Sequence, residues 1–349
     1  MKIELDKVGF AVVGLGVIGQ IHARNIALLD NCRLVAVVDI VRERAESAGR
    51  QFGAAAYTSI DEAVRNPEVE ALLISTPSYL HAPMTLYCLQ NGKHVLVEKP
   101  MATTLSGARL ISETAKRLGL KLGVVFQERY LEAARRLREA ATGGALGSVY
   151  LIEAELKWWR GEAEYYRSDA VARSWRGYWE TEGGGVLMNQ AIHTLDLMLW
   201  IGGEVQSLSG LISNFTHPSI EVEDSAAAVV KFKSGALGTI SATVNTRPTS
   251  RQYRAIRVFG TNGQAELRDY NLSIWTDSDG PILVGGEIKF GELHRALVYD
   301  FASRIRDGQE FLVSGEEGVK SLELIKAIYL SAESGERVCL PLRGRGEIP

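Results

Sequence analysis

The stretch VGFAVVGLGVIGQIHARNIALL (8–29) decides the fold. Its first six residues are apolar without a break, as in a strand covered on both faces. Gly14-x-Gly16-x-x-Gly19 follows, and a helical pattern runs from 17 to 29. Strand, glycine turn and helix in that order form the phosphate-binding turn of a dinucleotide fold. Gly14 permits the tight turn, and Gly16 lets the backbone approach a pyrophosphate where Val17 and Ile18 begin the helix. Gly19 permits close helix–strand packing. The helix N-terminus, with its free N–H groups and dipole, suits the anion. The motif alone also fits a strand–helix turn with no ligand; its context argues against that reading. Asp39 ends the next strand twenty residues after Gly19. A carboxylate there accepts hydrogen bonds from an adenosine ribose and repels a 2′-phosphate, which favours NAD(H) over NADP(H). Ile40 and Val41 follow it rather than an arginine, although Arg42 and Arg44 are near.

The same grammar continues to residue 126. Short apolar runs at 33–39, 70–75, 93–98 and 121–126 alternate with helical patterns at 41–52, 79–91 and 104–118. This predicts a parallel sheet with right-handed crossovers, an α/β Rossmann domain over 1–126. From 127 to 349 the pattern changes. A helix (129–142) precedes long strand-like segments with hairpin turns KSGA and TNGQ, and helices at 292–307 and 315–332 finish the chain. That predicts an α+β domain with a large, mostly antiparallel sheet.

Bulk properties agree with two soluble domains. The chain has 349 residues, 46% apolar and 23% charged. A net charge of -3 carries no signature of nucleic-acid or membrane-surface binding. Cys32, Cys88 and Cys339 lie far apart, so neither a disulfide framework nor a zinc site is expected. The N-terminus lacks the pattern of a signal peptide, and no apolar run reaches the ~18 residues of a membrane span. A reduced, cytoplasmic location is the expectation.

Ligands of a parallel sheet sit outside the carboxyl ends of its strands. Two such ends bear polar residues: Ser75, Thr76, Pro77 and His81 in LISTPSYLH, and Glu98, Lys99 and Pro100 in HVLVEKPMATT. A third candidate is GGGVLMNQAIHTLDL (183–197), an apolar helix interrupted by Asn189, His193 and Asp196. Burying such groups without partners costs a few kcal/mol. Helical spacing puts all three on one face, with Gly183, Gly184 and Gly185 leaving the N-terminus open for a ligand. Asp196 either orients His193 or makes an ordinary helix hydrogen bond.

Four of the six tryptophans lie at 158, 159, 175 and 179, among Tyr165, Tyr166 and Tyr178. Aromatic faces with polar forks suit a sugar, and Arg160, Tyr166, Trp175 and Arg176 are the candidate contacts. A subunit interface is the alternative, being rich in the same residue types. Residues 157–182 carry five basic and five acidic side chains. A polyphosphate site normally shows a positive excess, so the loop favours a neutral sugar over a nucleotide sugar.

GLGVIG, STPSYLH, GKHVLVEKPMATT, VVFQERY and GGGVLMNQAIHTLDL together resemble the glucose–fructose oxidoreductase/inositol dehydrogenase (Gfo/Idh/MocA) family over nearly the full length. The MNQAIH form resembles a subgroup with sugar-nucleotide 3-dehydrogenases and pyranoside dehydrogenases. The resemblance implies a Rossmann domain joined to an open-faced sheet domain, with NAD(H)-linked oxidoreduction of a pyranose or cyclitol. It implies homodimers or homotetramers packed through that sheet. It makes Lys99 the lysine that contacts the reacting hydroxyl and Glu98 a cofactor-side glutamate. It also implies that Gln127 matches a position near the nicotinamide ribose and that His193 matches the acid/base histidine. Many members carry Asp where this chain has Asn189, and an amide lacks the charge that raises a histidine's basicity.

The chemistry needs a hydride acceptor and a group that takes the O–H proton. No zinc-type cluster is evident, so metal polarisation is not expected. A lysine beside a cationic nicotinamide and a histidine titrating near neutrality both qualify. The preferred arrangement has His193 take the proton while Lys99 holds the oxygen. The bland alternatives are a solvated strand-end lysine and a satisfied core histidine. Two other functions fit the fold: a glycosidase using NAD in a transient oxidation, and a non-catalytic NAD-binding regulator.

Overall fold

The computed structural model describes residues 6–277 and 280–342. Its contacts divide the chain into two compact units. Among the described residues, the first comprises 6–102, 106–127 and 289–319; the second comprises 103–105, 128–277, 280–288 and 320–342.

The first unit holds a six-stranded parallel sheet: β1 (Val8–Val13), β2 (Cys32–Val38), β3 (Ala55–Tyr57), β4 (Ala71–Ile74), β5 (His94–Val97) and β6 (Leu122–Val124). Their order is β3-β2-β1-β4-β5-β6, reversing direction between β1 and β4. All of β1 and all of β4 are buried, which explains why both read as unbroken apolar runs. The crossover helices are α1 (Val17–Leu28), α2 (Arg42–Phe52), α3 (Ile60–Arg65), α4 (His81–Gln90) and α5 (Leu105–Leu118). β3 and α3 went unread in the sequence because a three-residue strand and a six-residue helix carry little periodicity. The Ser59–Glu62 capping box was the available signal for α3.

The division at 126/127 is therefore not a single cut. Residues 289–319, assigned from sequence to the second domain, return to the first unit. The helix Glu292–Asp307 buries Leu297, Val298, Phe301 and Ala302. The Phe301 ring lies 6.5 Å from Phe10 and 5.1 Å from Phe311. Asn25 Nδ2 donates to Gly291 O at 2.9 Å, and Val124 N to Val313 O at 3.0 Å. Such long-range packing leaves no mark in local periodicity.

The second unit is built on a nine-stranded sheet: β7 (Val149–Lys157), β8 (Val205–Ser213), β9 (Ser225–Phe232), β10 (Leu237–Thr243), β11 (Tyr253–Gly260), β12 (Gly263–Arg268), β13 (Asn271–Thr276), β14 (Ile282–Val284) and β15 (Val338–Cys339). The order is β14-β13-β12-β11-β7-β10-β9-β8-β15, and β10–β7 is its one parallel pairing among the described residues. Period-two burial gives β9 an inward face of Ala226, Ala228, Val230 and Phe232 and an outward face with Ala227, Val229 and Lys231. The helices of the second unit are α6 (Glu132–Thr142), α7 (Ala170–Trp175), α8 (Trp179–Glu182) and α9 (Ile192–Gly202); the first unit's helix Glu292–Asp307 is α10, and α11 (Gly315–Ser334) follows it.

Candidate active site

In the first unit the glycine turn has the geometry its sequence asks for. Gly14 sits at φ +88°, and a Cβ at Gly19 would overlap the Gly14 carbonyl. A Cβ at Gly16 would meet nothing within 4 Å, and no side chain caps the start of α1. Open space beside an uncapped helix N-terminus fits an anionic ligand. Val17 is exposed, Ile18 half-buried. Asp39 is buried, its Oδ2 accepting from Leu15 N and its Oδ1 from Val41 N, both at 2.9 Å. Gln127 Oε1 is buried without a hydrogen-bond partner. An orphaned acceptor and an open glycine cradle fit a dinucleotide, with Gly14, Gly16, Gly19, Asp39 and Gln127 to hold it.

Several predicted cofactor contacts instead turn inward. Ser75 Oγ donates to Val13 O at 3.0 Å and to Gly14 O at 2.9 Å, stapling the glycine turn. Thr76 Oγ1 points to Met84 Sδ at 3.7 Å, and Pro77 precedes a short 3₁₀ turn. His81 is buried, with Nδ1 2.7 Å from Pro100 O and Nε2 2.7 Å from Thr76 O. It clamps two strand-end loops together and so is a positioning group rather than a cofactor ligand; burial lowers its pKa. Glu98 is buried as well, accepting from Lys99 N at 3.1 Å and meeting His22 Nε2 at 2.8 Å. Lys99 is half-buried at the end of β5.

In the second unit the 183–197 stretch is not one continuous α-helix. A π-helical turn spans Leu187–Ala191, and α9 starts at Ile192. Such turns recur at functional sites, and this one contains Asn189, with His193 just beyond it; both are half-buried. The glycines do not leave the N-terminus open, which corrects the expectation. Cβ atoms at Gly183, Gly184 and Gly185 would collide with Thr103, the Tyr329 hydroxyl and the Glu223 backbone. The Glu223 carboxylate takes the leading N–H groups, accepting from Gly185 N at 2.8 Å and Leu187 N at 3.0 Å. It also accepts from Tyr329 Oη at 2.8 Å, while burial pushes its carboxyl up to about 7. Lys326 is buried nearby, donating to Gly183 O at 3.1 Å, and burial pushes its ammonium down to about 8.

Asn189 has a partner that the sequence did not reveal. Its Nδ2 donates to Glu182, a buried carboxylate that also accepts from Gly177 N at 2.5 Å. Glu182 thus sets a carboxyl group directly behind the Asn189 amide. Asp196 binds Arg129 and Ser321, which makes it a structural anchor.

The aromatic loop separates into packing and candidate contact residues. Tyr166 is 1% exposed and packed with Ile220 and Val222 as part of the core, its hydroxyl buried without a partner. Arg160, Trp175 and Arg176 are half-buried. Arg160 lies over Trp158 at 4.8 Å and donates to Trp159 O at 2.9 Å. Arg176 lies over Tyr165 at 4.3 Å and donates to Tyr165 O at 2.9 Å, with Nε buried and unpartnered. Arg167 donates to Tyr166 O, Arg176 O and Ser219 O. His217 anchors the loop, its Nε2 2.7 Å from Arg160 O and its Nδ1 3.0 Å from Asp224. Burial pulls its pKa down, but Asp224 and the carbonyl outweigh that and raise it. Only the density of aromatics hinted at this loop's structure; His217 carried no local signal.

Two family models cover most of the chain. Residues 8–126 match the oxidoreductase family with an NAD-binding Rossmann fold, and 134–266 match the GFO/IDH/MocA C-terminal domain. The chain is 28% identical to myo-inositol 2-dehydrogenase of Thermotoga maritima, over 94% of this chain and 97% of that protein. It is 26% identical to D-glucoside 3-dehydrogenase of Escherichia coli, over 94% and 96%. Among solved structures it is similar to the WlbA dehydrogenase of Bordetella pertussis in complex with NADH and UDP-GlcNAcA. That match has 30% identity and a TM-score of 0.86, covering 96% of this chain and 99% of the other. No helix among the described residues is long and apolar enough to cross a membrane.

Proposed function

The chain belongs to the Gfo/Idh/MocA oxidoreductase family, and from that premise we propose that it is a dehydrogenase of an uncharged sugar, glycoside or cyclitol, using NAD(H) in preference to NADP(H). The observation that carries the redox half is the uncapped glycine turn, with Asp39 beside it, in the same unit as the strand-end Lys99. The buried Asp39 carboxylate keeps a negative charge where NADP(H) carries its extra phosphate.

A bound nicotinamide supplies the hydride acceptor. Lys99 holds the reacting oxygen and stabilises the charge that develops on it. His193 takes the hydroxyl proton, a step of the kind typically worth ~10²–10⁴ in rate. Asn189, held by Glu182, binds a neighbouring hydroxyl. Arg160 and Arg176 each commit a donor to the loop's own carbonyls, and the five acidic side chains of 157–182 balance its five basic ones, so the loop lacks the positive excess of a phosphate site. The Bordetella relative, solved with UDP-GlcNAcA, is the contrary case.

Association through the outward sheet face is part of the reading. Leu211, Val229 and Leu237 on β8, β9 and β10 are 71%, 59% and 56% exposed. Exposed apolar residues clustered on one sheet suit a second copy of the chain.

The test is a screen of pyranoses, glycosides, cyclitols, uronates and nucleotide sugars, following NADH absorbance with NAD and NADP separately. Turnover of a neutral substrate with NAD is expected. Activity confined to nucleotide sugars refutes the charge argument. Unchanged turnover in both Lys99→Ala and His193→Ala refutes the acid/base assignment.

A further inference from the structure

Three ionisable side chains meet out of solvent in the first unit, and none has a place in the steps above. His22 on α1 is fully buried; Glu98 after β5 and His294 on α10 are each 7% exposed. Three distant parts of the chain therefore converge on one dry spot next to Lys99.

Their hydrogen bonds define the charges. Glu98 Oε1 lies 2.8 Å from His22 Nε2, and Glu98 Oε2 accepts from Lys99 N at 3.1 Å. An ionised carboxylate only accepts, so His22 carries its proton on Nε2. The His22 and His294 rings meet edge to face with centroids 5.4 Å apart. Their Nδ1 atoms are buried without partners, which marks the surroundings as dry. Burial pushes the Glu98 carboxyl up, but the His22 hydrogen bond and the charge of the neighbouring Lys99 outweigh it and lower it to about 2. Burial pushes His294 down to about 4 against the pull of Glu98. Glu98 is a fixed anion at neutral pH.

Its position gives that charge a use. Glu98 follows β5, whose neighbour β4 flanks the reversal of strand order. Ligands of open parallel sheets lie outside the carboxyl ends of strands at that reversal. We propose that the His22–Glu98 pair is a redox-state selector, a buried charge that favours the cationic oxidised nicotinamide over the neutral reduced ring and is opposed by Lys99. The two cofactor forms share every other group and differ by one charge at the ring. In a partly buried site a charge acting over several ångströms is strong enough to separate their affinities. His22 and Glu98 are positioning residues here, acting through charge. The proposal rests on the NAD(H) reading above and is independent of which sugar is oxidised.

The test uses the full chain without sugar, titrating NAD+ by calorimetry and NADH by its fluorescence. Glu98→Gln keeps a hydrogen-bonding side chain and removes the charge. The ratio Kd(NAD+)/Kd(NADH) is expected to rise roughly tenfold. Lys99→Met is expected to move the ratio the other way. His22→Gln retains an N–H for Glu98 and should keep the wild-type ratio, whereas His22→Phe should shift it as Glu98→Gln does. A folded Glu98→Gln that weakens both forms equally, with the ratio within about twofold, overturns the proposal. Should Glu98→Gln not fold, His22→Phe and His22→Gln decide it, and equal ratios in those two overturn it. Failure of the cofactor reading looks different: wild type would then bind neither NAD+ nor NADH.

Discussion

Arg129 and Asp196 form a buried two-pronged ion pair, with Nε to Oδ2 at 2.8 Å and Nη2 to Oδ1 at 2.7 Å. Each is 1% exposed, and Ser321 Oγ donates a third bond to the carboxylate at 3.0 Å. The Trp200 ring lies 5.4 Å from the guanidinium carbon. Three residues C-terminal to His193, Asp196 thus fixes α9 rather than serving chemistry. Asp196→Asn leaves a buried guanidinium without its counter-charge and should cost about 3–5 kcal/mol of stability, read from urea unfolding. Replacing both partners by Leu should recover much of that loss. A single variant as stable as wild type contradicts the anchoring role.

Glu182 and Asn189 make a second testable pair. An amide donating to a carboxylate is held in one of its two flipped orientations, so the edge it offers a substrate is set by Glu182. Asn189→Asp places two carboxylates in contact. One must then take up a proton, as like charges at that separation cannot both ionise. We expect Asn189→Asp to unfold at lower temperature at pH 8 than at pH 5.5. Adding Glu182→Gln should abolish that pH difference. Glu182→Gln alone should raise KM for the sugar roughly tenfold with a smaller effect on kcat, since the lost hydrogen bond orients a binding group.

Much of the cofactor half was legible because its signals are local. Gly14 and Gly19 meet steric demands of the turn itself, Gly16 leaves the open space a ligand needs, and β1, β2, β4, β5 and β6 follow from short, nearly continuous apolar runs. What stayed hidden depends on distant partners. Glu98 looked like a cofactor contact until His22, 76 residues away, proved to hold it. Gly183 to Gly185 looked like an opening because nothing local announces Thr103, Tyr329 and Glu223 packed against them. Tyr166 sat in an aromatic cluster whose composition cannot separate core from lining. The return of 289–319 to the first unit belongs to the same class.

Acid should erode stability in two distinct windows. His294 has its pKa depressed to about 4 by burial, against about 6.5 in an unfolded chain. Between those values the unfolded state binds more protons, so stability present above pH 6.5 is lost as pH falls toward 4. The shift corresponds to at most about 3 kcal/mol. Glu98, held at about 2, adds a second loss below about pH 4.3, where the unfolded carboxyl begins to protonate. Unfolding free energies of wild type and His294→Phe between pH 8 and pH 2 separate the two. The variant should lose the upper window and keep the lower one. Identical pH profiles would show that His294 does not titrate on unfolding.

Asp39 does two jobs with one carboxylate, and they can be separated. Its oxygens accept from Leu15 N and Val41 N at 2.9 Å each, so the group shapes the glycine turn before any ligand arrives. Each oxygen retains a further lone pair, leaving capacity for ribose hydroxyls. Asp39→Asn removes the charge and turns one acceptor into a donor facing a backbone N–H. NAD affinity should fall roughly tenfold through the disturbed turn and the weakened ribose contact. NADP affinity should fall less or rise, because the repulsion of a 2′-phosphate goes with the charge. Fluorescence titration of NADH and NADPH against both proteins measures this directly. A narrowed preference confirms that the charge selects the cofactor; an equal loss for both dinucleotides reduces Asp39 to a staple of the turn.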